Sequence, residues 1–232
     1  MTNLTISFFS RKKNNLNLTI KINNNILNRN TETKYLGVIL CENLKWNSHI
    51  NQIRNKIAKG SYIVSKIRNL VDPTTLKLLY YGLIHPHLNY CISTWGGAPP
   101  STLYPLNVIQ KKVIRIISGN EYDSHTPPIF NQLKILNLNK LYKYNLAIQM
   151  HKIINNNFVG SHNLITIDKI HDHNTRLSKS NNFFQFFTKT KQGQSRYSLQ
   201  GLKFWKTLPE QIKFLPLNQF KQKVKNVLLS KL

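Results

Sequence analysis

Acidic residues are what this sequence most conspicuously lacks. Eight Asp and Glu stand against 33 Lys and Arg, which gives a formal charge of +25 and a pI near 10.2. Chemistry that holds two metal ions a few Å apart needs clustered carboxylates. The eight here are Glu32, Glu42, Asp72, Glu121, Asp123, Asp168, Asp172 and Glu210, and none is adjacent to another. Cysteine is equally scarce. Cys41 and Cys91 form no Cys-x-x-Cys pair, and the eight histidines include none at His-x-x-x-His spacing, so neither a zinc site nor any other metal site is expected. No Gly-x-Ser-x-Gly elbow and no phosphate-cradling glycine loop occurs. No cofactor and no small-molecule ligand is expected, and the chain alone is expected to catalyse nothing. No apolar run reaches membrane-spanning length; residues 78–110 carry no formal charge but are broken by Gly and Pro. Met1 to Ser10 has no basic leader and no small-residue cleavage site, so an intracellular location, nuclear or cytoplasmic, is expected, with reduced thiols.

What the chain has is positive charge spread along its whole length. A surface of this sign repels itself unless a polyanion is present, which points to nucleic acid ahead of an acidic membrane surface. Basic arms concentrate charge in a tail, whereas here it must decorate folded elements. With 41 % hydrophobic and 10 % aromatic residues, 232 residues can bury a core and suit one large domain or two small ones.

The hydrophobic periodicity predicts a mainly α fold with small antiparallel β elements. Leu18, Ile20 and Ile22 alternate before Asn23-Asn24-Asn25, which predicts a hairpin returning through Ile26 and Leu27. A further strand is expected over Lys34 to Leu40. From Asn47 or Ser48, the positions Ile50, Ile53, Ile57, Gly60, Val64, Ile67 and Val71 repeat as one helical face. Asp72-Pro73 ends that helix and starts the next, which is apolar nearly all round and so expected to be buried on most sides until His85-Pro86. A third helix is predicted from about Ser101 to Ser118 with Leu106, Ile109, Val113 and Ile116 inward and Gly119 as its stop. Helices over Pro128 to Lys134 and Leu138 to Ile154 follow. Beyond Gly160, Phe183 to Thr190 and Ser195 to Leu199 are expected to pair as a hairpin around Gln192-Gly193-Gln194, ahead of closing helices at Gly201 to Thr207 and Asn218 to Leu229. The three tryptophans, Trp46, Trp95 and Trp205, sit in apolar contexts that favour core packing over base stacking.

Five ordered stretches carry a resemblance. Lys34-Tyr-Leu-Gly-Val-Ile-Leu40 with Leu44-Lys-Trp-Asn-Ser-His-Ile50, then Leu76 to Ile84, Leu88 to Gly96, Ile109 to Ile117, and Gly201-Leu-Lys-Phe-Trp-Lys-Thr-Leu-Pro209 resemble the region after the palm in LINE-type, non-LTR retrotransposon reverse transcriptases, jockey-like elements especially. The resemblance implies three parts: a palm-end hairpin and primer-grip-like strand over 1–45, a helical thumb-like region over 46–160, and a C-terminal extension over 161–232. It implies that Tyr35, Leu36 and Gly37 take the grip role, and that the catalytic palm would lie upstream of Met1. Gly201-Leu202 departs from the family's usual Gly-Pro.

The expected function is therefore sequence-independent grip on a template-primer duplex, RNA or RNA/DNA, by a non-catalytic piece of an RNA-directed DNA polymerase. Arg54, Lys56, Lys59 and Lys66 on the first long helix, and Lys111, Lys112 and Arg115 on the third, are the expected phosphate contacts, because neither helix holds an acid to neutralise them. A structural basic RNA-binding protein of a ribonucleoprotein is the alternative that charge alone would satisfy.

Overall fold

The computed structural model describes residues 5–9, 19–22, 25–155, 188–194 and 196–230. It is mainly helical, with three small two-stranded sheets. Strands β1 (Thr5–Ile6) and β4 (Asn28–Arg29) pair in parallel, and β2 (Lys21–Ile22) and β3 (Asn25–Ile26) pair antiparallel as the expected first hairpin. The predicted single strand over Lys34 to Leu40 is instead a second hairpin: β5 (Glu32–Tyr35) and β6 (Val38–Cys41) pair antiparallel, with Tyr35 opposite Val38. The chain reverses at Leu36 (φ 44°) and Gly37 (φ 80°). A two-residue turn matched to strand twist needs positive φ at both central positions; glycine adopts it freely and leucine at some cost. The apolar run concealed that reversal, because Leu36 is not a turn-type residue.

Two compact units follow by contact: Met1–Cys91 with Ala98–Val113, and Ile92–Gly97 with Ile114–Leu232. In the first, α1 (Asn47–Ile67) buries Ile50, Ile53, Ile57, Gly60 and Val64 along one face, as its periodicity requires. Ile67 at its end is half-buried. Helix α2 (Pro73–Leu83) starts where the Asp72 carboxylate accepts the amides of Thr74 and Thr75 at 2.9 and 3.2 Å. The hydrogen bonds from Thr75 lead those that hold this carboxyl below its usual range. A methyl group on Gly60 would lie 3.0 Å from the Leu83 carbonyl, so this glycine lets α2 pack tightly on α1.

Burial of α2 on most sides does not hold. Leu76 and Tyr80 face inward one turn apart while Leu78 is 67 % exposed, because packing reaches only one side of the helix. The Gln110 side-chain amide donates to the buried Tyr80 hydroxyl at 2.9 Å. A short helix α3 (His85–Asn89) takes Pro86 in its first turn. Helix α5 (Pro100–Ser118) matches its expected span, but its buried line runs through Leu106, Gln110, Val113, Ile114 and Ile117, leaving Ile109 and Ile116 half-buried. Gln110 turns inward because Tyr80 gives its amide a partner.

In the second unit, α4 (Ile92–Trp95), α6 (Thr126–Gln132), α7 (Leu138–Ile154) and α9 (Tyr197–Lys206) to α11 (Leu217–Ser230) enclose a core around α7. Trp95 and Trp205 are buried in it. Gly96 is indispensable to this packing, since a Cβ there would fall 2.5 Å from the Ile92 carbonyl oxygen and 2.6 Å from the Tyr142 ring. His151 stacks on Phe220, ring centroids 4.3 Å apart, and bonds the Leu215 carbonyl at 2.8 Å, tying the last helices to α7.

The expected C-terminal hairpin is corrected where it is described. Lys191–Gln194 forms a helical turn, α8, and Tyr197–Leu199 lies in α9, so helix replaces the turn and the return strand; residues 183–187 lie outside the described part. Gln, Ser and Leu are as compatible with a helix as with a strand, and packing of Leu199 and Leu202 in the core decides for the helix. Cys41 is buried and Cys91 half-buried, and no disulfide joins them. No helix among the described residues is long and apolar enough to cross a membrane.

Ile57 is fully buried in the α1 seam. Replacing it by Ala is expected to cost about 2–5 kcal/mol in denaturant-induced unfolding; a loss under about 0.5 kcal/mol, typical of surface positions, would place the wrong face inward.

Candidate nucleic-acid interface

Within the first unit, the β5–β6 turn, α1 and α3 enclose a cavity of about 240 Å³. Gly37 contributes from the turn, His49, Gln52, Ile53 and Lys56 from α1, and Pro86, His87 and Tyr90 from α3 and its C-terminal end. These residues come from stretches far apart in sequence, three of them among those that carried the family resemblance.

One side chain joins them. The Tyr90 hydroxyl donates to the Leu36 carbonyl at 2.6 Å, and the Tyr90 ring lies 3.3 Å from where a Gly37 Cβ would be. A larger residue at 37 would push the ring away, so Gly37 serves both the turn and the close approach of Tyr90. The bond also secures Leu36 in a backbone region that costs an L-residue roughly 1–2 kcal/mol. Tyr35 and Leu36 themselves stand out from the tip, 65 % and 72 % exposed.

His49 anchors the other end. Its Nδ1 accepts the Ile39 amide at 3.3 Å, which places the neutral ring's proton on Nε2, and Trp46 packs against the ring edge with centroids 6.2 Å apart. The Glu32 carboxylate accepts the Ser48 hydroxyl, so β5 is tied to the start of α1 as well. Burial, and after it the Lys56 ammonium, pushes both His49 and His87 below the ordinary histidine range; a hydrogen bond with Gln52 partly opposes this at His49. The cavity therefore presents one cation beside two rings that are mostly neutral at pH 7, with no carboxylate among its lining residues.

The expected phosphate contacts do not form one array. Lys56, Lys59 and Lys66 are exposed on α1 within about 80° of one another, at about 100° per residue. Arg54 projects at least about 120° away from all three by the same rule, on the opposite flank of the buried stripe. Lys66 lies over the Tyr62 ring, 5.5 Å from its centroid. On α5, Lys111 and Lys112 are both exposed, with exposed Tyr104 and Val108 filling the arc between them. Arg115 is half-buried in the second unit, where its Nε donates to the Ser124 carbonyl at 2.9 Å and its guanidinium covers the Tyr122 ring. It is committed to the loop after α5 more than to solvent.

Sequence reasoning overlooked Tyr90 and His49. The two Tyr90 contacts span 54 residues or nearly so, a separation that no local pattern encodes. The His85-x-His87 pair reads in the sequence as loop or phosphate-facing histidines ahead of metal ligands, and the ring at 87 lines the same cavity as Lys56.

No family model matches the chain, and no solved structure matches it. Among curated proteins, it is 32 % identical over 120 residues to an RNA-directed DNA polymerase from the mobile element jockey of Drosophila funebris, covering 50 % of this chain and 13 % of that protein. It is 28 % identical over 141 residues to the corresponding jockey polymerase of Drosophila melanogaster, 57 % of this chain and 15 % of the relative. A probable RNA-directed DNA polymerase from the transposon X-element of Drosophila melanogaster is 30 % identical over 106 residues, 44 % and 12 % of the two chains. The matched part spans less than a sixth of each relative, and over about half its own length this chain is similar to the RNA-directed DNA polymerases of non-LTR retrotransposons.

Proposed function

We propose that this chain is a non-catalytic, duplex-holding region of a non-LTR reverse transcriptase, corresponding to primer grip and thumb. The observation that carries the reading is the cavity in which Gly37 of the Tyr-Leu-Gly turn meets Lys56 of the cationic α1 face. A protruding apolar turn beside an anion-attracting pocket, backed by a helix whose exposed lysines have no acid on the same helix, suits the end of a nucleic-acid strand and the phosphates behind it. Such contacts position the backbone without reading bases.

Each phosphate neutralised releases a condensed counterion, so log affinity falls with log salt by about 0.9 per contact on B-form DNA. Changing Lys56, Lys59, Lys111 and Lys112 together to Ala is expected to make that slope shallower by about 3 to 4, with affinity falling alike on unrelated sequences. Lys134, Lys206, Lys221 and Lys223 form the control set. Equal slope changes from the two sets would reject the specific grip and leave a general basic RNA-binding protein.

The histidines add a pH dependence. Both are held below the usual value near 6.5, so the unfolded chain takes up protons first as pH falls. Their contribution to stability is complete above pH 6.5 and is lost as pH falls from there through the folded values. A phosphate bound beside Lys56 offsets its charge and favours protonation, so binding takes up protons. Duplex affinity should rise between pH 7.5 and 5.5 by more than in a His87→Gln variant, measured where both remain folded; identical profiles would exclude His87 from the site.

The eight acids are scattered through the sequence, none adjacent to another, which supports the non-catalytic reading. Purified chain should add no nucleotide to a primer, and incorporation abolished by a point mutation in this chain would overturn the non-catalytic assignment.

A further inference from the structure

The second unit holds a larger cavity, about 590 Å³, lined from α7, α9 and the end of α11. Two helical stripes form its walls. Asn139, Tyr142, Lys143 and Leu146 stand at i, i+3, i+4 and i+7 on α7; Gln200, Lys203, Phe204 and Thr207 repeat the same spacing from α9 into its C-cap. The helices pack tightly where Gly201 meets Met150, since a Cβ at 201 would lie 2.7 Å from the Met150 sulfur. The cavity is lined mainly by the N-terminal half of α7 and the C-terminal half of α9.

The lining has a coherent chemistry. Lys140, Lys143 and Lys203 bring three cations and no lining residue is acidic. Burial, and then the neighbouring Lys143, lowers the Lys140 pKa, so positive charge is already crowded there. Phe204 offers an aromatic face and Asn139 an amide able both to donate and to accept, while the Gln200 amide nitrogen already donates to the Gln194 carbonyl at 2.8 Å. Tyr142 is only 8 % exposed and its hydroxyl has no hydrogen-bond partner among the described residues. A buried hydroxyl left unsatisfied costs about 1–3 kcal/mol, and protein side chains of this kind ordinarily have a partner.

We propose that this cavity holds an unpaired nucleotide, giving the chain a second nucleic-acid site that takes single strands. Its volume lies within the roughly 300–1,000 Å³ of cavities that enclose small ligands. A concave pocket between two helices admits one splayed base and its phosphate, whereas a duplex presents its bases stacked and paired inside. Aromatic stacking with lysines at the backbone is the recurrent solution for single strands. The inference shares with the proposed function only the premise of a nucleic-acid partner, and it uses none of the residues of the first unit's cavity.

The test is fluorescence anisotropy of the full chain with a labelled eight-nucleotide oligouridine, beside a blunt duplex, for Phe204→Leu, Tyr142→Phe and the Lys143→Ala/Lys203→Ala pair. Circular dichroism and thermal unfolding confirm that each variant is folded. Phe204→Leu is expected to weaken oligouridine binding roughly tenfold, within the stacking contribution of one base. Tyr142→Phe, which removes one oxygen from the protein, is expected to weaken it by a few-fold. The lysine pair is expected to make the single-strand salt slope shallower by about 1.4, at about 0.7 per contact. Duplex affinity is expected to stay within twofold for Phe204→Leu and Tyr142→Phe. Wild-type oligouridine affinity in folded Phe204→Leu and in the lysine pair would overturn the proposal, as would an equal loss on both ligands in Phe204→Leu. The α1–α5 lysine variant keeps the two readings separate: a normal duplex slope there, with oligouridine binding still sensitive to Phe204, would remove the duplex grip and leave this site standing.

Discussion

Burial of Ile50, Ile53, Ile57 and Val64 along one side of α1 determines where every other side chain of that helix points. A helix repeating at about 3.6 residues that commits one stripe to the core has no freedom left to rotate. Lys59 and Lys66 then project to solvent, Lys56 projects beside the β5–β6 turn, and Arg54 is left on the far flank. Gly60 allows the seam to close against the end of α2, which in turn sets where α3 begins and so where His87 and Tyr90 arrive. The candidate interface is thus a consequence of core packing, and its cations are spectators to the folding of the helix that carries them.

The electrostatics obey the same constraint. A chain with 33 basic and eight acidic residues cannot pair all its charges internally, and among the described residues the ion pairs Arg29–Glu42 and Glu210–Lys213 lie off α1 and α5. Ammonium groups left at the surface keep their hydration and cost little; the groups drawn partly inward respond by losing charge, as His49 and His87 do. The first cavity is therefore lined by a single lysine with two titratable neighbours, while the second is lined by three lysines and Phe204. Positive potential common to both units underlies the proposed attraction to a polyanion. Shape distinguishes the two proposed sites: an exposed turn and helix face on one, a half-open cleft between two helices on the other.

Much of the helical architecture was legible because strong periodicity and punctuation coincide. Asp72-Pro73 announces the start of α2 through a cap and a ring-constrained backbone, and Leu138 to Ile154 has the span read from the residues. The misses have a common origin. Leu36 in a left-handed turn, Gln110 inside the core, Leu78 facing solvent and helix in place of the hairpin at Gln192 to Leu199 each depend on a partner distant in sequence. Tyr90, Tyr80 and the core around Leu199 supply those partners, and none leaves a mark in the local pattern that it overrides.

The amino-acid sequence by itself determined the charge, the scarcity of carboxylates, the helical class and the resemblance of five ordered stretches to a polymerase region. Those properties are composition and short-range period, additive along a chain. Only the tertiary structure decided that Gly37, Lys56 and His87 share one cavity, that Arg115 is drawn to the Ser124 carbonyl, and that Phe204 and Tyr142 face the same cleft. Contacts of that kind arise when apolar stripes close on one another and carry their polar neighbours along, so the geometry of a site follows from packing between segments and is absent from any one of them.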